Sequence, residues 1–219
     1  MINIVVIGAG GHAKAAIHVI ESTAKYHIIG LIDSGRSIGD IVYGYKVLGN
    51  EDWLRQYGQS VDGLFIAVGD NWVRAEIAAR LKANCDPLPP FITAVHPSAH
   101  IARGACIGAG SVIMAGAIMN SDARIGEHCV LYPGASIDHD SEAGSFVSLA
   151  PKAATGGSVR IGSYTAIGLG ANIIHNITIG EHCVIGAGST LVRSLPDRAL
   201  AYGLPAKLIR TREAGEKYL

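Results

Sequence analysis

The chain lacks any excess of charge: 18 lysines and arginines face 18 aspartates and glutamates in 219 residues. That balance excludes the broad basic field expected of a nucleic-acid or anionic-membrane binder. No apolar run approaches the roughly 20 residues of a membrane span, and Met1 leads straight into INIVVIG. Neither a span nor a secretory leader is therefore expected. Four cysteines (Cys85, Cys106, Cys129, Cys183) form no CxxC pair and no disulfide framework, which points to a reduced, cytoplasmic protein. The nine histidines contain no His-x4-His pair, so no metal is expected. Aromatic residues make up only 6%, which excludes a core built on large rings. What is abundant is glycine, 28 residues, within a chain that is 49% apolar. Such a composition suggests repetitive, close backbone packing.

Two periodicities divide the chain. Residues 1–92 alternate strand-like runs (INIVVIG, HIIGLID, GLFIAVG) with amphipathic helical runs (HAKAAIHVIES, NWVRAEIAARLKAN). This predicts a Rossmann-like βαβ domain with a parallel sheet. The proline-rich DPLPPF at 86–91 marks its end. From Val95 to Leu191 every sixth residue is mostly aliphatic, and a small residue follows four positions later, as at Ala99, Ser111, Cys129, Ser141 and Ser189. Neither a helix nor a simple alternating strand produces this pattern. A hexapeptide solenoid does, three sides closing one triangular coil of eighteen residues. Residues 93–219 are accordingly assigned to a parallel β-helix with a C-terminal tail. IGEHCV occurs at 125–130 and again at 179–184, three coils apart. Its cysteines fall in inward small-residue slots and lie too far apart to share a metal, roughly 14 Å at strand spacing.

Chemistry is expected where the repeat is interrupted, and SIDHDSEAG at 136–144 is the clearest case. His139 occupies neither inward slot and stands between Asp138 and Asp140. An imidazole beside a carboxylate suits a general base, since the carboxylate fixes the tautomer and stabilises the imidazolium. Gly157 lies one coil away in the same column, where a bare backbone N–H could receive an oxyanion. His175 follows in that column without a carboxylate neighbour. At the N-terminus Gly8–Lys14 fits G-x-G-x-x-A, with Asp33 closing the second strand. Glycines there allow phosphate to approach the start of the helix. A domain of this size suits a single nucleotide diphosphate better than a whole dinucleotide.

The hexapeptide pattern resembles the left-handed parallel β-helix of the hexapeptide acyltransferases, and the left hand is implied by that resemblance. GLPAK at 203–207 resembles the coenzyme A-binding end of the same enzymes. It implies that the proline-fixed turn at Gly203 and Pro205 holds the pantetheine arm, with Arg193, Arg198, Lys207, Arg210 and Arg212 supplying charge for the phosphates. Pro151, Leu169, Ala187 and Pro205, each eighteen apart, form a column leading to it. Taken together, the three motifs are similar to the bacterial sugar acyltransferases of the NeuD and PglD type, over nearly the whole chain. The resemblance implies an N-acetyltransferase acting on a nucleotide-linked amino sugar. Gly10, Gly11, His12 and Asp33 would hold the nucleotide sugar, and acetyl-CoA would lie along Ser148, Gly157, Gly168, Leu169 and Ala187. His139 would be the base, with Asp140 raising its basicity, in a homotrimer with sites between subunits. Three positions depart from the family: Tyr132 replaces a usual Asn, Ser148 a second His, and Ser34 an acidic residue after Asp33. No residue decides between N- and O-acetylation. A non-catalytic solenoid would need neither the DHD interruption nor GLPAK.

Overall fold

The computed structural model describes residues 1–218. The chain begins with β1 (Ile2–Ile7), α1 (Gly11–Ser22), β2 (Tyr26–Ile32), β3 (Ile41–Val42), β4 (Tyr45–Gly49), α2 (Asp52–Tyr57), β5 (Gly63–Ile66) and α3 (Asn71–Asn84). These strands form one sheet in the order β3-β4-β2-β1-β5, parallel except for the β3–β4 hairpin. The runs of Ile, Val and Leu in β1 and β5 are buried on both sides, as a parallel sheet covered by helices requires. Sequence reading anticipated β1, β2, β5, α1 and α3. It missed β3, β4 and α2, which are short and lack a clean period. Asp70 caps α3, accepting hydrogen bonds from the Trp72 and Val73 amides at 2.9 and 3.0 Å.

From Ala94 the chain winds a left-handed parallel β-helix of two-residue strands. Each strand pairs in parallel with the one eighteen residues later, as Val130 with Ser148 and Arg124 with Glu142. Three faces result. Face I carries Ala94–Val95, Val112–Ile113, Val130–Leu131, Ser148–Leu149, Ala166–Ile167 and Val184–Ile185. Face II runs from His100–Ile101 to Thr190–Leu191, and face III from Cys106–Ile107 to Thr178–Ile179. The hexad aliphatics and their small partners fill the interior, Cys129 and Cys183 among them. The corners from Gly104 to Gly188 each turn through a residue at positive φ, glycine at Gly134 and Gly170 but also His128, Asp140 and Phe146.

Face I explains how the two parts meet. Ala94, Val112, Met114 and Val130 are buried under Ala13, Ala16 and Ile17 of α1 in one shared apolar cluster. The sheet domain thus covers the upper coils of face I. The same face lower down, from Ser148 through Ala166 to Val184, lines a groove instead. Beyond the last coil the tail is not a simple extension. It forms an antiparallel hairpin, Ala199–Gly203 with Ala206–Thr211, added to the lower end of face I. GLPAK is the turn of that hairpin.

Candidate active site

The first part of the site lies at the carboxyl ends of β1 and β2, where doubly wound sheets bind ligands. Gly8 has φ +110, and a Cβ there would come within 2.8 Å of the Ala67 carbonyl oxygen, so only glycine fits. Gly10 stands at the N-cap of α1 with no side-chain cap, and nothing lies within 4 Å of a Cβ built on Gly10 or Gly11. The first amides of α1 therefore face open space. Asp33 accepts hydrogen bonds from the Ala9 and Gly35 amides at 2.7 and 2.8 Å, so its carboxylate also braces the glycine loop. Beside it opens a cavity of about 450 Å³ lined by Gly8, Ser34, Asn50, Asp52, Arg55 and Arg80 among others. Asn50, Asp52 and Arg55 come from the β4–α2 segment that sequence reading did not recognise.

His12 parts company with the residues it was grouped with. It sits in the first turn of α1 but turns toward the β-helix, its Nδ1 3.1 Å from the Tyr132 hydroxyl. Its other ring nitrogen is buried without a partner. Burial, and then the charge of Arg74, lower its pKa to about 4, so the ring is neutral. Arg74 is the functional-region residue that sequence reading overlooked. Its guanidinium is fully buried and, among the described residues, meets no carboxylate; it donates to the carbonyls of Val68, Gly69 and His128 and to Asn71 Oδ1. One signal was available: Arg74 stands on the α3 stripe that continues through Ile77, Ala78 and Leu81.

The second part is an apolar groove of about 460 Å³ on the lower stretch of face I. Ser148, Gly168, Leu169 and Ala187 line it, with Pro151 beside them, and Gly69, Tyr132 and Tyr218 close its upper end. The tail corrects the expected set of phosphate-binding cations. Arg212 is buried, donating to the His182 carbonyl and to the Glu216 backbone carbonyl, and Arg210 is paired with Glu216. Burying Arg212 is favourable here because backbone carbonyls satisfy it. Arg193, Arg198 and Lys207 remain exposed.

The third part lies at the corner between faces II and III. His139 Nδ1 is 2.8 Å from Asp140 Oδ2, the left-handed backbone of Asp140 (φ 57) folding its carboxylate back onto the preceding ring. Asp138 does not touch the imidazole. It accepts the His139 amide at 2.8 Å and the Asn120 side-chain amide at 2.6 Å, which fixes the turn. The hydrogen bond to Asp140, and then the charge of Asp138, raise the pKa of His139. Gly157 lies against the ring: a Cβ there would stand 2.5 Å from His139 Cε1 and Nε2. Two of the turns in this column cap the next amide with a side chain, Asn120 for Ser121 and Asp138 for His139. Gly156 offers no such cap to the Gly157 amide. His175 is exposed, and among the described residues no carboxylate is paired with it.

Within one chain, His139 and Gly157 do not meet the groove. Ser148, Leu169 and Ala187 lie on face I and its corner with face II, one full face away. Face II exposes Ile118, Ile174 and Val192. Among the described residues no cluster of His, Cys, Asp and Glu could hold a metal, and no helix is long and apolar enough to cross a membrane.

Comparison with known proteins adds an independent line. The PglD N-terminal domain pattern matches residues 3–81, and the bacterial transferase hexapeptide pattern matches residues 158–193. The UDP-N-acetylbacillosamine N-acetyltransferase of Bacillus subtilis (strain 168) is 37% identical over 125 residues, 52% of each chain. The matched stretch thus spans about half the length of that curated relative. The GDP-perosamine N-acetyltransferase of Caulobacter crescentus, solved with CoA and GDP-perosamine, superposes with a TM-score of 0.89 at 33% identity, covering 95% of this chain and 97% of that one. The acetyltransferase domain of PglB from Neisseria gonorrhoeae gives a TM-score of 0.85 at 29% identity, covering 95% and 100%.

Proposed function

Because the chain belongs to the bacterial sugar acyltransferases of the PglD type, we infer that it is an acetyl-CoA-dependent N-acetyltransferase. It acts on the amino group of a nucleotide-linked 4-amino sugar in the cytoplasmic assembly of a surface glycan. Two of the relatives are N-acetyltransferases named for UDP-N-acetylbacillosamine and GDP-perosamine, and the second was solved with CoA and GDP-perosamine. Four unpaired thiols accord with a reducing compartment.

Residues 1–92 bind the nucleotide through Gly10, Gly11 and the Asp33 cavity, with His12 at the junction to the β-helix. Residues 93–219 carry the acyl donor. Its pantetheine arm runs up the face I groove from Gly203, Pro205 and Lys207, past Ala187, Leu169 and Gly168, to the thioester near Ser148. The protein works as a homotrimer, because the groove and His139 sit at different corners of one prism. Packing the apolar strip Ile118–Ile174–Val192 against a second copy brings the groove of one protomer toward His139 of the next.

The observation that carries this reading is the 2.8 Å contact between His139 Nδ1 and Asp140. It commits Nδ1 to the carboxylate and leaves Nε2 for the substrate. The amine nitrogen attacks the thioester carbonyl carbon and the C–S bond breaks, releasing a thiolate that finally takes up the proton collected by His139. His139 Nε2 accepts the proton shed by the nitrogen, and the Gly157 amide stabilises the transient oxyanion. His139→Ala should lower kcat by about 10²–10⁴-fold with little change in either KM. Near-full kcat in this variant across the pH range would remove His139 from the mechanism. The enzyme would then supply only proximity to an amine already deprotonated.

A further inference from the structure

The C-terminal tail crosses back over the molecule to the upper end of the face I groove. Gly215, at φ +77, lies against the Trp72 indole, where a Cβ would be 2.8 Å from Nε1, so the crossing needs glycine. Arg212, buried beneath, fastens the turn to the His182 and Glu216 carbonyls. Glu216, held by Arg210, accepts the Glu213 amide at 3.2 Å. These contacts deliver Tyr218 to the groove. Its hydroxyl accepts the Asn71 amide at 3.1 Å, and the residue lines the groove together with Ser148. The guanidinium of Arg212 lies 5.8 Å from the centre of its ring.

We propose that Tyr218 is a donor-specificity residue whose ring walls the upper end of the groove and limits the acyl group to a short chain. This rests on the acyltransferase reading above. The direction of the donor follows from the layout, since GLPAK stands at the lower end of face I and the nucleotide cavity at the top. The acyl group is therefore the part of the donor that reaches Tyr132, Ser148 and Tyr218. These three supply the only side-chain hydroxyls on an otherwise apolar lining. Tyr218 is held there by the distant Asn71 amide and by the Arg212 guanidinium of its own tail, which fix the wall. On this reading a longer acyl chain meets the ring.

The test compares acetyl-CoA with butyryl-CoA on the intact protein, by binding calorimetry and by thiol release with its sugar nucleotide. The wild type should prefer acetyl-CoA by at least about tenfold in kcat/KM, the scale on which pocket size discriminates methylenes. Tyr218→Ala should erase most of that preference, raising butyryl-CoA use while leaving KM for the sugar nucleotide unchanged. Tyr218→Phe keeps the ring and should keep the preference. A wild type that accepts both donors equally overturns the proposal without any variant, as does a folded Tyr218→Ala protein with unchanged preference. A shift as large in Tyr218→Phe as in Tyr218→Ala would assign the effect to the hydroxyl and also overturn it. Absence of any acyl-CoA binding to the wild type would instead refute the acyltransferase reading, and this inference with it.

Discussion

His128 links the packing of the two parts to solution pH. It sits at the corner between faces III and I, fully buried, with its ring edge-on to Phe91 (centroids 4.5 Å apart) and stacked on Phe146 (5.0 Å). Neither ring nitrogen has a hydrogen-bond partner. Burial first, then the charges of Arg74 and Lys82, push its pKa down from 6.5 to about 4. The folded protein thus binds this proton more weakly than the unfolded chain does. The corresponding stability is complete above about pH 6.5 and is lost as pH falls toward about 4. A depression of 6.5 − 4 = 2.5 units corresponds to about 3 kcal/mol at most. Roughly 2 kcal/mol of it should be gone by about pH 5. His128→Phe should remove this term. Phe146 and Tyr164 already place aromatic rings at the equivalent left-handed corner positions, φ 59 and 63, so the backbone there accepts phenylalanine. Urea unfolding followed by circular dichroism, at about pH 7 and about pH 5, measures the difference. The variant should lose about 2 kcal/mol less than wild type over that interval, the residual loss including the matching contribution of His12. Parallel losses in the two proteins would refute the claim that a buried neutral His128 sets the acid sensitivity.

Other perturbations act on the chemistry. Asp140→Asn should move the acidic limb of the kcat/KM profile to lower pH, because Asp140 is the first cause of the raised His139 pKa; a pH–rate series reads this. Gly157→Ala should displace the imidazole, since the new Cβ would stand 2.5 Å from the ring, and kcat should fall by about tenfold or more while the thermal midpoint stays close to wild type. Gly11→Val adds a Cβ with no tertiary neighbour within 4 Å and should fold normally, yet raise KM for the sugar nucleotide and spare acetyl-CoA binding. Loss of acetyl-CoA binding in that variant would mean the ligands had been assigned to the wrong parts.

Much of the fold was legible because its period is local. Val95 and each sixth residue onward to Leu191 point inward, and the small residue four positions later packs beside them, so the register of every coil can be counted along the chain. The same counting sets the two copies of IGEHCV on one edge and puts Cys129 and Cys183 in the core. It also stacks Gly157 beside His139, with Asp140 adjacent through a single backbone turn. The sequence could not say which flanking carboxylate engages the ring. Asp140 does so because its left-handed φ folds the side chain back, whereas Asp138 is committed to the His139 and Asn120 amides. The partners of Arg74, Arg212 and Tyr218 were beyond reach for a further reason. Each of these residues is defined by partners far away in the chain: Arg74 by the carbonyl of His128, Arg212 by that of His182, and Tyr218 by the Asn71 amide. A solenoid repeats its contacts every eighteen residues, so sequence alone determined the prism and what lines its interior. How the sheet domain and the tail lie across face I depends on burial between surfaces that share no period. Only the tertiary structure decided which stretch of that face stays open as a groove.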